Sequence, residues 1–512
     1  MSMATKRASS QRSRAGCRTC KIRHVRCDET NPACFKCTST GRTCDGYLDS
    51  PTRRDGALQK HFQKPVDTSI SLQLPHMISP IYSLPFKVPG SQKERQILHH
   101  YCVQGAFDLS GCMNPEFWVQ SLLLTSHHEP AVRYALVALS SAKLFFESNN
   151  NSTGDRQVGC IPEVQALYVK ALRQLRKYIA QHLEPSKTIV LQCCILFYCF
   201  EVARGDPQAA LQHLQNGFSI LQTGSAQKLN PNGRDAKSIH KTDEGLDEIQ
   251  EVMIRLDLQA SLYDNSRVPL FQGQAGMGRI VMRFETVSQA RSLLDNLMNQ
   301  FSNFLMENSH YREEYFNIPV SILERKHELG LRIQRWKLAY DAFSVESTAS
   351  RLKVPARDQM WSMQLLEIHY DTLELFLKSA FPLNPGVFGK FPNSPIEDIF
   401  RKVEDLLAGF EERGGHRRIF SAETGVIAPL FLIAMKATDP ALSSRAVQLL
   451  LSCNRREGLY DSNMVTRVIL NLQQKRKTTG NSASLESDVV NIANLPGGLG
   501  TMAAILGVSQ GN

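Results

Sequence analysis

No stretch of this 512-residue chain is apolar for long enough to cross a membrane. The most apolar run, Ile189 to Phe200, falls short of the roughly 20 residues a spanning helix needs, and Gln192 interrupts it. The N-terminus is polar and basic without an apolar core segment, so a secretory leader is not expected there. Catalytic signatures are missing too. There is no His-Glu-x-x-His, no P-loop and no nucleophile elbow, and Gly273, Gly276 and Gly278 lack the dinucleotide fingerprint and a preceding strand. An enzyme is therefore not expected. Heptads are absent from residues 47–91, where Pro51, Pro65, Pro75, Pro80, Pro85 and Pro89 exclude a long helix and with it a coiled coil. Acidic residues are scarce at the front: residues 1–44 hold only Asp28 and Glu29 against ten lysines and arginines. That stretch carries +8 of the formal net charge of +10 and leaves the remainder near neutral.

Cysteine, by contrast, is concentrated. Six of the thirteen fall at Cys17, Cys20, Cys27, Cys34, Cys37 and Cys44, spaced C-x2-C-x6-C-x6-C-x2-C-x6-C, so that two half-motifs of identical layout stand end to end. Thiolates are soft ligands, and Zn2+ usually takes four ligands tetrahedrally. Six thiolates cannot fill eight separate positions around two ions unless two sulfurs are shared. The arithmetic predicts a binuclear zinc cluster with two bridging and four terminal thiolates, and it leaves no open position for catalysis. The other common use of six cysteines is a disulfide framework, which belongs to small secreted domains. The arginine-rich flanks and the missing leader weigh against it. Even with two zinc ions on six thiolates the head stays cationic, the electrostatic footprint of a polyanion-binding module. Double-stranded DNA is the expected partner. The other cysteines (Cys102, Cys112, Cys160, Cys193, Cys194, Cys199 and Cys453) lack metal spacing and read as buried thiols.

The six cysteines, the basic run after Cys20 and the Asn31-Pro32 turn before Cys34 resemble the fungal binuclear zinc-cluster (Zn(2)-C6 type) transcription factors. The resemblance implies a nuclear, sequence-specific regulator of RNA polymerase II transcription, with the first half-motif forming a short helix that meets the major groove. Together with the symmetry of the half-motifs, it makes Cys17 and Cys34 the bridging ligands. Residues Lys21-Ile22-Arg23-His24-Val25-Arg26 have helical spacing, which groups Lys21, His24 and Val25 and sets Arg23 and Arg26 on a neighbouring face. By the resemblance, Arg23 and His24 stand at base-reading positions. Arginine donating to guanine O6 and N7 is the commonest specific contact, with roughly 1–3 kcal/mol of discrimination. The family more often has lysine where His24 stands, and a neutral imidazole is a weaker, pH-sensitive reader. That departure puts the usual CGG-type half-site in question. Arg18, Lys21, Arg26 and Lys36 are expected to neutralise phosphates and so position the module without reading sequence. The alternative reading is a zinc-dependent protein-docking cofactor of other transcription regulators.

The expected architecture is a small zinc-stabilised DNA-binding module joined by a disordered linker to a large irregular all-α domain. Residues 1–16 form a basic disordered arm, 17–46 the zinc cluster, 47–91 the proline-rich linker, 92–470 the helical body and 471–512 a disordered tail containing Lys475-Arg476-Lys477. Within the body, apolar residues recur at helical spacing over 129–148, from Pro162 onward, over 187–203 and from Asp206-Pro207 to about Gly224. A polar flexible loop over 224–245 follows, and helical patterns resume at 246–263, 286–308, 324–344, 358–380, 396–413 and 425–436. The body resembles the regulatory domain of one branch of the same factors at Phe117-Trp118 with Glu129-Pro130-Ala131-Val132, at Ile254 to Ala260, and at Asn454 to Ser462. In these segments Trp118 and Leu459 read as core anchors, and Arg255 or Asp257 as a member of an internal ion pair. With no coiled coil beside the cluster, any homodimer must form through the helical body. A small-molecule effector or coactivators are further candidate partners of that body.

Overall fold

Each half of the cysteine motif folds in the same way. In the computed structural model, Cys17 begins α1 (Arg18–Ile22) and Cys34 begins α2 (Phe35–Thr38). The Lys21 amide donates to the Cys17 carbonyl at 3.0 Å, and the Thr38 amide donates to the Cys34 carbonyl at 3.1 Å. The Cys17 amide donates to Cys27 Sγ at 3.4 Å, and the Cys34 amide to Cys44 Sγ at 3.5 Å, each ten residues on. The sequence repeat is therefore a repeat of backbone hydrogen bonding. Residues 16–23, 25–30, 32–45, 88–111, 113, 116–148, 162–226, 245–263, 270, 283–308, 311, 317–349, 357–380, 393–414 and 418–478 are described. The basic arm, nearly all of the 47–91 linker, most of the 224–245 loop and the tail beyond 478 lie outside them. The chain divides into two units, Met1–Ser79 and Pro80–Asn512.

The second unit is built from helices whose starts and stops are written in the chain. A capping box opens α3 (Gln92–His100): Ser91 Oγ accepts from the Glu94 amide, and Glu94 Oε2 accepts from the Ser91 amide. Single π-helical turns at Tyr101–Gly105 and Glu116–Ser121 flank α4 (Ala106–Ser110) and lead into α5 (Leu122–His128). Proline opens α6 (Pro130–Ser148), α7 (Pro162–Gln181) and α9 (Pro207–Ala226), where its missing N–H costs nothing. Between the last two runs α8 (Lys187–Arg204), buried without a break from Val190 to Ala203. Gly205 ends it at φ +89°, a left-handed conformation that favours glycine. Asp206 then caps α9 by accepting from the Ala209 amide at 3.0 Å. α8 packs against α6 and α9, so the most apolar run in the chain is the centre of the body.

The second half of the body contains α10 (Leu246–Tyr263), α11 (Val287–Glu307), α12 (Val320–Ala349), α13 (Arg357–Ser379) and α14 (Asn393–Gly414). It ends with α15 (Ile427–Lys436), α16 (Pro440–Cys453) and α17 (Ser462–Thr478). The last helix runs to Thr478, past the start of the tail expected from composition at 471. Three short strands are an addition to the all-helical expectation. β1 (Ile419–Ser421) pairs in parallel with β2 (Arg455–Glu457), with Phe420 opposite Arg456, and β2 pairs antiparallel with β3 (Tyr460–Asp461). Gly458 turns the β2–β3 hairpin at φ +54°, and a Cβ there would collide with Gln259 Oε1.

This sheet and one buried carboxylate gather the helices. Glu423, just after β1, accepts from Arg255 Nε at 3.1 Å, Arg291 Nη2 at 2.7 Å and Trp118 Nε1 at 3.3 Å. Gln259 Nε2 donates to the Ala422 carbonyl at 3.1 Å. Glu457 accepts the amides of Gly425, Val426 and Ile427 at 2.9–3.1 Å and so caps α15 from the neighbouring strand. Burial works to raise the Glu423 carboxyl, and the two guanidiniums outweigh it and hold the group below the usual carboxylate range. Trp118 and Leu459 are core residues and Arg255 is the internal ion-pair member, as the sequence leads one to expect. Asp257 is fully buried. Removing one partner of a buried ion pair costs about 3–5 kcal/mol, because an uncompensated charge is left inside. Glu423→Ala should lower the unfolding free energy of the body by that amount, measured by urea unfolding followed by helical circular dichroism. A loss under about 1 kcal/mol would mean that the guanidiniums reach solvent instead.

Candidate metal centre and nucleic-acid interface

Among the described residues, the interior of the first unit consists of sulfur. Cys17, Cys20, Cys34 and Cys37 are wholly buried, Cys27 nearly so, Cys44 packs beside them, and none is in a disulfide. Cys17 Sγ lies 3.6 Å from Cys34 Sγ and 3.8 Å from Cys37 Sγ, and Cys20 Sγ lies 3.6 Å from Cys34 Sγ and 3.9 Å from Cys37 Sγ. A Zn–S bond of about 2.3 Å sets the edge of a tetrahedron of sulfurs at about 3.8 Å. A disulfide would need about 2.05 Å. The spacing therefore suits zinc and not a disulfide. Two sets of four sulfurs fall within 4.8 Å of one another: Cys17, Cys20, Cys27 and Cys34, and Cys17, Cys34, Cys37 and Cys44. The sets overlap in Cys17 and Cys34, one from the head of each half-motif. Burial pushes the Cys17, Cys20 and Cys34 thiols above the ordinary cysteine range, so thiolates here need a facing cation.

Polar side chains tie the two halves around that interior. Asp28, in the connecting loop, accepts from the Phe35 amide at 2.8 Å and the Lys36 amide at 3.0 Å, capping α2 from outside the helix. The Thr30 hydroxyl at 2.6 Å and these two amides hold the Asp28 carboxyl well below the usual carboxylate range. Thr19 Oγ1 donates to Asp45 Oδ2 at 2.9 Å and accepts from the Asp45 amide at 3.0 Å, which clasps the end of the motif to its beginning. Nothing in the spacing of the cysteines points to Asp28, Thr19 or Asp45. A capping residue placed seven positions ahead of its helix has no short-range signature.

The basic residues face outward. Lys21, Arg26 and Lys36 are exposed, as is Arg42, and no described residue forms an ion pair with them. Arg23 is half-buried and donates from Nη1 to Thr40 Oγ1 at 3.2 Å, reaching from the first half to the second. The Arg18 side chain, His24 and Asn31 lie outside the described residues. One expectation needs correction. Helical spacing does not continue to Arg26, because α1 ends at Ile22 and Arg23 is its C-cap. The Val25 amide donates to the Cys20 carbonyl five residues back, and the chain then turns to bring Cys27 Sγ to the Cys17 amide. Coordination geometry overrides helix propagation here. Arg26 therefore leaves the module from the connecting loop, and of the first-half cations Arg18 and Lys21 stand on α1.

A family model for the fungal Zn(2)-Cys(6) binuclear cluster domain matches residues 15–54, and one for the fungal specific transcription factor domain matches residues 96–471. The chain belongs to the fungal Zn(2)-Cys(6) transcription regulators. Among curated relatives, the Aspercryptin biosynthesis cluster-specific transcription regulator atnN of Emericella nidulans is 24% identical over 93% of this chain and 89% of its own length. Transcription regulator lscL of Purpureocillium lilacinum is 28% identical over 39% of this chain and 47% of its own. Transcriptional regulatory protein moc3 of Schizosaccharomyces pombe is 46% identical over 46 residues. No solved structure matches the chain. The cluster domain binds two zinc ions, and the sulfur separations and closed thiol interior of this member fit them. When bound, the ions would supply folding energy to a module whose described residues form no aliphatic or aromatic core.

Metal analysis of the protein should give two zinc ions per chain, and a strong chelator should unfold the first unit while leaving the helical body intact by circular dichroism. Cys17→Ala and Cys34→Ala each remove a sulfur common to both sets and should lose both ions. Cys44→Ala touches one set and should retain at least one ion. Equal loss in all three variants would contradict sharing. Asp28→Ala should release zinc at a lower chelator concentration than the parent. Because the folded carboxyl titrates below its unfolded value, its stabilisation is complete above about pH 4 and is lost as pH falls further.

Proposed function

We propose that the first unit binds a short site in the major groove of double-stranded DNA and that the chain regulates RNA polymerase II transcription in the nucleus. The observation that carries this reading is the division of the module into an inner set of sulfurs and an outer set of cations. Cys17, Cys20, Cys27, Cys34, Cys37 and Cys44 would hold two zinc ions, with Cys17 and Cys34 common to both sets of four sulfurs. Six thiolates shared in this way would leave no open coordination position, so the ions would be structural and recognition would fall to the surface. Lys21 on α1, with Arg18, Arg26 and Lys36, neutralises phosphates and fixes the register. Arg23 and His24 are the base-reading residues. The single bond from Arg23 to Thr40 leaves most of its donors unused and presets the guanidinium.

One observation favours a second reading, in which the module docks on other regulators. Ile22 is 66% exposed and Phe35 68% exposed, a large apolar fraction for so small a surface. Selection from random duplexes with the full-length protein separates the two: an enriched sequence supports DNA reading, and its absence supports docking. The helical body regulates the module, through an effector or coactivators, and supplies any pairing of two copies. The full-length likeness to a regulator named for a biosynthetic cluster makes biosynthetic genes the first place to look for targets.

Lys21→Ala should weaken binding evenly across sequences and reduce the slope of log affinity against log salt by about one. Arg23→Ala should instead relax the preference at one base pair by about 1–3 kcal/mol. Both are measured by fluorescence anisotropy on matched and mismatched duplexes over a salt series. A sequence-dependent loss for Lys21→Ala would reassign that residue to base reading.

A further inference from the structure

Arg23 is held at both of its ends. Its backbone is the C-cap of α1, with the amide donating to the Thr19 carbonyl at 3.1 Å, and its guanidinium donates from Nη1 to Thr40 Oγ1 at 3.2 Å. Thr40 stands just past the end of α2, 17 residues along the chain, and is itself immobilised. Its hydroxyl has a single hydrogen, which is committed to the Lys36 carbonyl at 2.9 Å and the Cys37 carbonyl at 3.1 Å. The Thr40 amide donates to the same Cys37 carbonyl at 3.2 Å. The hydroxyl therefore offers Arg23 a lone pair from a fixed point on the other half-motif. The remaining cations differ. Among the described side chains, none accepts from Lys21, Arg26, Lys36 or Arg42, so Arg23 alone of these is tied across the module.

Which nitrogen is tied matters. A guanidinium is planar, and fixing Nη1 together with the backbone fixes that plane. It also leaves the Nε–Nη2 edge whole, since no described residue accepts from either nitrogen of Arg23. That edge donates two parallel hydrogen bonds. Elsewhere in this chain it is in use: Arg255 donates from Nε at 3.1 Å and from Nη2 at 3.3 Å to the two oxygens of Glu423. Guanine presents the matching pair of acceptors in the major groove, O6 beside N7, whereas adenine presents an acceptor beside a donor. A phosphate is met from many directions and asks for no fixed plane, which is why the untied cations suffice there.

We infer that Thr40 is a positioning residue for base reading: by accepting from Nη1 it sets the plane of the Arg23 guanidinium and leaves the Nε–Nη2 edge to meet a guanine. This rests on the reading above that Arg23 reads a base, and it adds that specificity at that base pair is set jointly by the two half-motifs. A side chain ordered before binding loses little freedom on binding, and a recognition group left loose by about 1 Å loses its selectivity. The second half-motif thus does more than complete the sulfur cluster.

Fluorescence anisotropy of the full-length zinc-loaded protein on a selected duplex and its single-base-pair variants provides the test. Thr40→Val keeps the shape of the side chain and removes the hydroxyl. It should lower discrimination about three- to tenfold, the range of one hydrogen bond, at the base pair that Arg23→Ala relaxes. Preferences at the other base pairs, the salt slope, the zinc content and the chelator concentration that releases zinc should not change. Thr40→Ser restores the acceptor and should restore discrimination. Because Thr40 acts through Arg23, adding Thr40→Val to Arg23→Ala should cost nothing further, and the same holds for Arg23→Lys, since an ammonium has no edge to orient. Full discrimination in Thr40→Val, a loss spread over every base pair, earlier release of zinc, or a further loss in the Arg23→Ala background overturns the role of Thr40 and leaves base reading by Arg23 standing. A parent that prefers no duplex, or an Arg23→Ala variant that keeps every preference of the parent, overturns base reading by Arg23 and the role of Thr40 with it.

Discussion

Two metal ions sharing six sulfurs is the constraint on which the DNA-binding end of this chain depends. A segment of some thirty residues cannot bury enough apolar surface to fold by that means. Its interior holds no aliphatic or aromatic side chain among the described residues, only the six cysteines. The folding energy must come from coordination, and coordination dictates the rest. It stops α1 after Ile22, because Cys27 must return to the cluster. It forces the loop from Cys27 to Cys34 to carry its own support, which Asp28 supplies by capping α2. It also frees the surface. Ile22, Phe35 and the cations need not face inward, so the outside of the module is available for recognition.

The body solves the opposite problem. Apolar surface is abundant there, and what it lacks is a reason for one arrangement over others. Glu423 provides it. A carboxylate with two arginines and a tryptophan N–H cannot be satisfied by any other packing of α10, α11 and the π-helical turn at Glu116–Ser121. Glu457 does the same for α15 by capping it from β2. Buried ion pairs contribute little net stability against an apolar replacement, but a mispacked alternative leaves charges bare. In this body they select the arrangement.

How much of this was legible in the sequence depends on the range of the signal. The helices were, because period, proline at N1 and Asp206 as a cap are local: α10 begins and ends where the pattern over 246–263 does. The cysteine grouping was too, since ligand counting needs only spacing. The strands were not, because two or three residues are too few to show alternation. Glu423 was invisible, being a lone acid in a loop, 168 residues from Arg255 in sequence. The three segments that resemble the regulatory domain looked unrelated along the chain. In space Trp118, Arg255 with Gln259, and the hairpin at 455–461 all converge on the loop after β1. Their meaning lies in that convergence.

Where pairing occurs decides what kind of DNA site two heads can share. A coiled coil placed directly after a zinc cluster would fix the separation and direction of the heads, and so of the half-sites. The prolines of residues 47–91, nearly all outside the described residues, lead one not to expect that device here. The chain between Cys44 and α3, 47 residues, can extend to at most about 160 Å. Pairing through the body would therefore tether two heads without prescribing their spacing. The second head would bind at an effective local concentration, with avidity that varies gently with half-site separation. Sequence at each half-site, which we propose Arg23 and His24 read, would then carry the specificity that spacing does not. A base-reading pair that departs from the family's usual lysine is consistent with that burden, because each half-site has to be distinctive by itself.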